Sequence, residues 1–177
     1  THVLTTAQRW GRFAGIVVIS RDVAVLNLAQ SMGAQPIVET GSETGGETDS
    51  ETDSETDSET SDTLNTALRQ ASAAVAGVAA ATLVLPSDLP LLAYEDLDVL
   101  YELAEEGEGV IIAPSHDGGT NALLLRPPHA IPFAFGETSF ARHLALAAAA
   151  GLPCHVYQSA SLALDVDRPE DLLVVNH

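Results

Sequence analysis

The chain has 177 residues, 46% of them hydrophobic, a formal net charge of −18, and seven basic residues, all arginine. That length and apolar content predict one domain, residues 1–177, around one substantial core. Sparse, scattered positive charge argues against nucleic acid as a partner, and no apolar run is long enough to span a bilayer, so no membrane association is expected.

The opening THVLTTAQRW lacks a charged segment followed by an apolar one, so no signal peptide is expected. The lone Cys154 offers neither an internal disulfide nor a cysteine-based zinc site, which fits a reducing cytoplasm. TAQRWGRFAG reads as the end of a helix, whereas a doubly wound domain normally starts with a strand and a phosphate-facing loop. The chain is therefore expected to be N-terminally incomplete, with such a strand and loop ahead of Thr1.

GIVVIS at 15–20 then reads as a buried strand, VAVLNLAQSMG at 23–33 as a helix closed by glycine, and QPIVE at 35–39 as a second strand. The stretch 40–62 reads as an acidic, disordered loop insert. Its run 43–62, ETGGETDSETDSETDSETSD, holds nine acids and no base, half of the net charge, and has nothing to bury. The E-T-D-S period suggests calcium, but it lacks the central glycine and terminal bidentate glutamate of a tight oxygen cage.

TLNTALRQASAAVAGVAAA at 63–81 has helical spacing, and TLVLP at 82–86 reads as a strand. AYEDLDVLYELAEEG at 93–107 reads as a helix with acids on its wet face, followed by strands GVIIAP at 109–114 and ALLLR at 122–126. SFARHLALAAAAG at 139–151 is an alanine-rich helix ending in glycine, CHVYQ at 154–158 a strand, and PEDLLVV at 169–175 a last short helix. This alternation predicts a three-layer α/β domain.

Three loops carry candidate chemistry, each after an apolar run where open α/β sheets collect ligands. In LPSDLPLL, Asp88 follows a strand and is well placed as a metal ligand, although aspartate also serves local hydrogen bonding in turns. In LALDVDRP, Asp165 and Asp167 face the same side if the stretch is extended, and with Asp88 they would hold magnesium against a triphosphate. Asp167 also fits a helix N-cap answered by Glu170, a reading that leaves Asp165 unexplained. HDGGTNALLL offers close backbone approach at its glycines, the Thr120 hydroxyl and the Asn121 amide for a phosphate or carboxylate; a tight hairpin explains DGG equally well.

FGETSFARH puts Gly136 before a helix and Ser139 in its first turn, where exposed N–H groups, the hydroxyl and Arg142 form an anion site, or where Thr138 or Ser139 simply caps the helix. None of the six histidines is assigned to a metal; His116 alone adjoins a candidate loop, in a supporting role. Neither a glycine-rich P-loop with its lysine nor a G-x-S-x-G elbow occurs, which argues against P-loop ATPases and α/β-hydrolases.

In order and spacing, LPSDLPLL, APSHDGGTNALLLRPP, FGETSFARH and LALDVDRPEDL resemble the 2-phospho-L-lactate guanylyltransferase family of coenzyme F420 biosynthesis, whose bacterial members include phosphoenolpyruvate guanylyltransferases. The likeness runs from Gly15 onward; GGTNALLLRPP and G-x-x-S-F-x-R-H are its specific parts, and TLNTAL at 63–68 resembles a family segment near the nucleotide. The resemblance implies a Rossmann-like nucleotidyltransferase fold with a mostly parallel mixed sheet, and GMP transfer from GTP to a phosphorylated three-carbon acid with magnesium and release of pyrophosphate. It implies Asp88, Asp165 and Asp167 as catalytic metal ligands, Thr120, Gly136 and Ser139 around the acid, and Leu64, Asn65 and Ser87 toward the nucleotide.

The family's basic, lysine-containing phosphate loop has no counterpart here, and a homodimer stays open. A sugar-phosphate nucleotidyltransferase or glycosyltransferase of related fold, and a nucleotide-binding remnant without turnover, are the other readings.

Overall fold

The structure, a computed structural model, describes residues 2–40 and 53–166. Helix α1 (His2–Trp10) leads into β1 (Val17–Ser20), α2 (Val23–Ser31) and β2 (Gln35–Val38). The β1 and β2 strands pair in parallel, from Val17 opposite Gln35 to Ser20 opposite Val38. Asp22 sets the start of α2, its carboxylate accepting the Ala24 N–H at 2.7 Å. Gly33, with φ +81°, lets the chain leave the helix for β2.

Helix α3 (Asp53–Val75), β3 (Thr82–Val84), α4 (Tyr94–Glu105), β4 (Gly109–Pro114), β5 (Thr120–Arg126), α5 (Ser139–Ala149) and β6 (Cys154–Val156) complete the described chain. The larger sheet has the order β3-β5-β4-β6. β5 runs antiparallel to both β3 and β4, and β6 runs parallel to β4. Thus β3, β4 and β6 point one way and β5 alone opposes them, a mostly parallel mixed sheet.

The period of two along β4 and β5 builds two cores. Ile111, Ala113, Ala122 and Leu124 face one cluster with Leu97 and Leu100 of α4, Val3 of α1, and Leu89 and Leu162 from the loops. Val110, Ile112, Leu123 and Leu125 face the other with Ala147 of α5 and Ile131, Phe133 and Phe135 of the connector before it. Because both faces are covered, these strands read as unbroken apolar runs. The result is the predicted three-layer α/β fold.

Two expectations need correction. Helix α3 begins at Asp53, so residues 53–62 of the acidic stretch are helical instead of a disordered loop. Extending a helix already nucleated downstream costs less than starting one. On α4 the acids are not all on a wet face: Asp96 is 3% exposed. The expected helix at 169–175 and the residues at 41–52 lie outside the described residues. Among the described residues, no helix is long and apolar enough to cross a membrane.

Candidate active site at the carboxyl edge of the sheet

The carboxyl ends of β3, β4 and β6 and the start of the opposed β5 fall on one edge of the sheet. The loop after β3 carries Ser87, which is exposed, and Asp88, which is half-buried; the loop after β6 carries Asp165, also half-buried. These loops touch, because the Val166 N–H donates to the Asp88 carbonyl at 3.1 Å. Two acids 77 positions apart in sequence are thereby tied one residue from each other's backbone. Asp167 lies outside the described residues, and among those described no group of three potential ligands gathers.

The loop after β6 is held from three directions. His116 N–H donates to the Ala163 carbonyl at 3.1 Å, and the buried Asn121 amide donates to the Leu162 carbonyl at 2.8 Å. From below, the Asp96 carboxylate accepts Tyr157 Oη at 3.1 Å, Ser159 Oγ at 2.6 Å, Ser161 Oγ at 2.7 Å and its own helix's Ala93 N–H at 3.0 Å. A buried carboxylate needs such a set of donors, which here offsets its desolvation. Burial, with the Asp96 charge beside it, pushes the Tyr157 phenol up. Asn121, singled out in the sequence as a ligand group, is engaged as a loop tie.

The HDGG turn adopts the hairpin reading. Ser115 Oγ and the Gly119 N–H both donate to the Asp117 carboxylate, which holds it below the usual carboxylate range. A side chain on Gly119 would run into Ser115 Oγ. The turn in turn meets α5, whose Phe140 N–H donates to the Gly118 carbonyl at 3.3 Å.

Beside it lies a compact polar group. Thr120 Oγ1 is 3.1 Å from both Ser139 Oγ, which donates to it, and His143 Nδ1, while the Ala134 N–H donates to His143 Nε2 at 3.0 Å. Thr120, Ser139 and His143 are 4%, 1% and 0% exposed. Burial, reinforced by the Arg142 charge, pulls the His143 imidazole down to about 4, so the ring is neutral near pH 7. Phe135 packs edge-on against it at 4.9 Å between ring centres.

Asn65 on α3 clamps the connector that supplies Ala134. Its Oδ1 accepts the Phe135 N–H at 2.8 Å, and its Nδ2 donates to the Phe135 carbonyl at 3.1 Å and the Ser61 carbonyl at 2.8 Å. Gly136, with φ +115°, sits against Ser61 so closely that any Cβ there would overlap it. Thr138 holds φ +53°, an unusual conformation for a β-branched residue, at the N-cap of α5.

The anion site expected at the start of α5 differs in construction. The Ser139 and Phe140 N–H groups donate to the Gly136 and Gly118 carbonyls, the Arg142 guanidinium donates to the Glu137 carbonyl, and neither Thr138 nor Ser139 caps through its hydroxyl. What remains for an anion is the Thr120 O–H, since Ser139 Oγ donates to Thr120 Oγ1. Of the residues expected near the nucleotide, Leu64 is 43% exposed on α3, Ser87 is exposed, and Asn65 is engaged within the protein. His143, Asp96 and Ala134 were not anticipated from the sequence. Ser139 and His143 stand four apart on one helix, a spacing that places them on one face and is the signal that could have exposed the pair. A cavity of about 190 Å³ at the opposite end of β4, lined by Gly109, Pro153 and His155, holds none of the candidate residues.

A mixed sheet with paired acid loops and a buried hydroxyl group at its carboxyl edge defines a protein of the nucleotidyltransferase-like α/β class. A solved structure of CMP:2-keto-3-deoxy-manno-octonic acid synthetase complexed with CTP has the same fold, with a TM-score of 0.62 and 14% identity over 98% of this chain and 84% of that one. The family model "Guanylyl transferase CofC like" matches residues 45–176, and the chain belongs to that family. It is 38% identical to the phosphoenolpyruvate guanylyltransferase of Rubrobacter xylanophilus over 94% of this chain and 72% of that protein. It is also 38% identical to the 2-phospho-L-lactate guanylyltransferase of Methanothermobacter thermautotrophicus, over 89% of this chain and 61% of that protein. The chain thus spans between about three fifths and three quarters of the length of these relatives.

Proposed function

We propose that this chain carries the transfer site of a guanylyltransferase that moves GMP from GTP to a phosphorylated three-carbon acid, phosphoenolpyruvate or 2-phospho-L-lactate, in coenzyme F420 biosynthesis. The observation that carries this reading is the Val166–Asp88 bond, which joins the two acid loops on the sheet edge that also bears the Thr120–Ser139 hydroxyls. Membership of the guanylyl transferase family supports the reaction class.

In the proposed step an oxygen of the acid's phosphate attacks the α-phosphorus of GTP. A new P–O–P bond forms, the α–β bridging bond breaks, and pyrophosphate leaves. With a second phosphate pKa of about 6 the nucleophile is mostly dianionic near neutral pH, so no general base is required. Thr120, supported by Ser139, and the Gly136 backbone orient the acid, and alignment with the α-phosphorus supplies much of the rate. Asp88 and Asp165 are hard oxygen donors on touching loops, a set that suits magnesium, with Asp167 two residues beyond Asp165 in sequence; these residues would hold the ion, which would neutralise triphosphate charge. Leu64 and Ser87, both exposed, are offered to the nucleotide.

Product analysis tests the reading. Incubation with GTP, magnesium and either acid is expected to give new 31P resonances of a phosphoanhydride joining GMP to that acid, with free pyrophosphate. A product only with a sugar phosphate would replace the acceptor class, and no product with any phosphorylated acid would overturn the reading.

A further inference from the structure

The hydrogen bonds around His143 have a direction that can be worked out from one end. A backbone N–H only donates, so the Ala134 N–H requires a lone pair on His143 Nε2. A neutral ring with its lone pair on Nε2 carries its proton on Nδ1. That proton points at Thr120 Oγ1, 3.1 Å away, so Thr120 accepts. Ser139 Oγ donates to the same oxygen from the other side. With both lone pairs of Thr120 Oγ1 occupied, its own O–H is left as a donor.

We propose that His143 is a positioning residue which, through the tautomer fixed by Ala134, sets the Thr120 hydroxyl as an obligate hydrogen-bond donor to the anionic group of the acceptor acid. This rests on the reading above that Thr120, supported by Ser139, holds that acid. With the opposite tautomer, His143 Nδ1 would be an acceptor, Thr120 would turn its proton inward, and the site would present a lone pair to an anion. The Asn65 clamp belongs to the same device, because it fixes Phe135 and with it the adjoining Ala134 N–H.

Two amide variants separate the two ring nitrogens. His143→Asn places an N–H near Nδ1 and nothing at Nε2; His143→Gln places an acceptor near Nε2 and nothing at Nδ1. In the full chain, His143→Asn is expected to keep KM for the acid within about threefold of wild type. His143→Gln is expected to raise it by about 10- to 100-fold, the scale of a hydrogen bond to a charged group, with KM for GTP unchanged. Adding His143→Gln to Thr120→Val is expected to cost nothing beyond Thr120→Val alone. Independently of turnover, 15N spectra of labelled imidazole are expected to show a protonated Nδ1 on the buried histidine.

Equal effects of the two amides, equal rises in both KM values, multiplicative costs in the double variant, or a protonated Nε2 would each overturn the role of His143. Wild-type protein that consumes no phosphorylated acid would instead remove the acceptor reading, and the role with it.

Discussion

On the Thr120 side of the site each reactive side chain is locked by another: Thr120 by Ser139 and His143, His143 by Ala134, and Ala134's neighbour by Asn65. On the Asp88 side the protein fixes backbone, through Val166 to Asp88 and through Asn121 and His116 to the loop after β6. Under the proposed function the contrast follows from what each side would hold. A phosphorylated acid is recognised by directed hydrogen bonds, which demand fixed donor polarity, whereas a hard cation accepts carboxylates in several geometries and needs only that the loops stay together.

The sharpest way to break this comparison is to neutralise the acid side. Asp88→Asn or Asp165→Asn is expected to lower turnover by about 10²- to 10³-fold, the scale of removing one major electrostatic contact, while the melting midpoint moves little. Steady-state rates beside thermal melts check this; a large loss of stability with turnover preserved would make these acids structural.

Acid titration probes the locked side. His143 has a folded value of about 4 against an ordinary 6.5, so the folded state binds the proton less readily than the unfolded chain. The stabilising contribution is complete above pH 6.5, declines as pH falls, and is gone below about 4. The loss amounts to about 3 kcal/mol. Urea unfolding across that window should show the decline in wild type, and His143→Asn should lack this component; identical profiles would contradict the buried neutral ring.

Beneath the acid loops, Asp96→Asn replaces one of two accepting oxygens by a donor, which then faces either the Tyr157 and Ser159 donors or the Ser161 and Ala93 donors. Charge-assisted bonds of this kind predict a loss of about 2 to 3 kcal/mol, with faster amide exchange in 157–166. Protection unchanged there would show that the loop does not depend on Asp96. The smallest effect is expected at Asn65→Ala, about 2 kcal/mol from the unsatisfied Phe135 backbone groups, with a raised KM for the acid. An altered KM for GTP alone would return Asn65 to the nucleotide side.

Most of the architecture was legible because its apolar runs are short and bounded by turn residues. GVIIAP, an unbroken run covered on both faces, occupies Gly109–Pro114 as expected, and the glycine after the second helix marks its end. The start of α3 was not legible, since Asp, Ser and Thr have weak helical preference and the gain from continuing a nucleated helix is invisible residue by residue. The candidate edge was legible as a set of loops, yet its supports were not. Asp96 sits among helix acids that look alike in sequence, and only the distant hydroxyls of Tyr157, Ser159 and Ser161 distinguish it. His143 lacks a partner of metal-binding type nearby in sequence; its meaning comes from Thr120, 23 residues away, and from a backbone N–H.

The most direct test of the central claim, that the two sides of one sheet edge serve a single transfer, is pyrophosphate release from GTP and magnesium measured with and without phosphoenolpyruvate or 2-phospho-L-lactate. Saturable release that requires the acid, falls by about 10²- to 10³-fold in Asp88→Asn with acid binding intact, and is weakened by Thr120→Val through KM for the acid alone is the predicted result. Release that ignores the acid, or acid-dependent release indifferent to both substitutions, would contradict it.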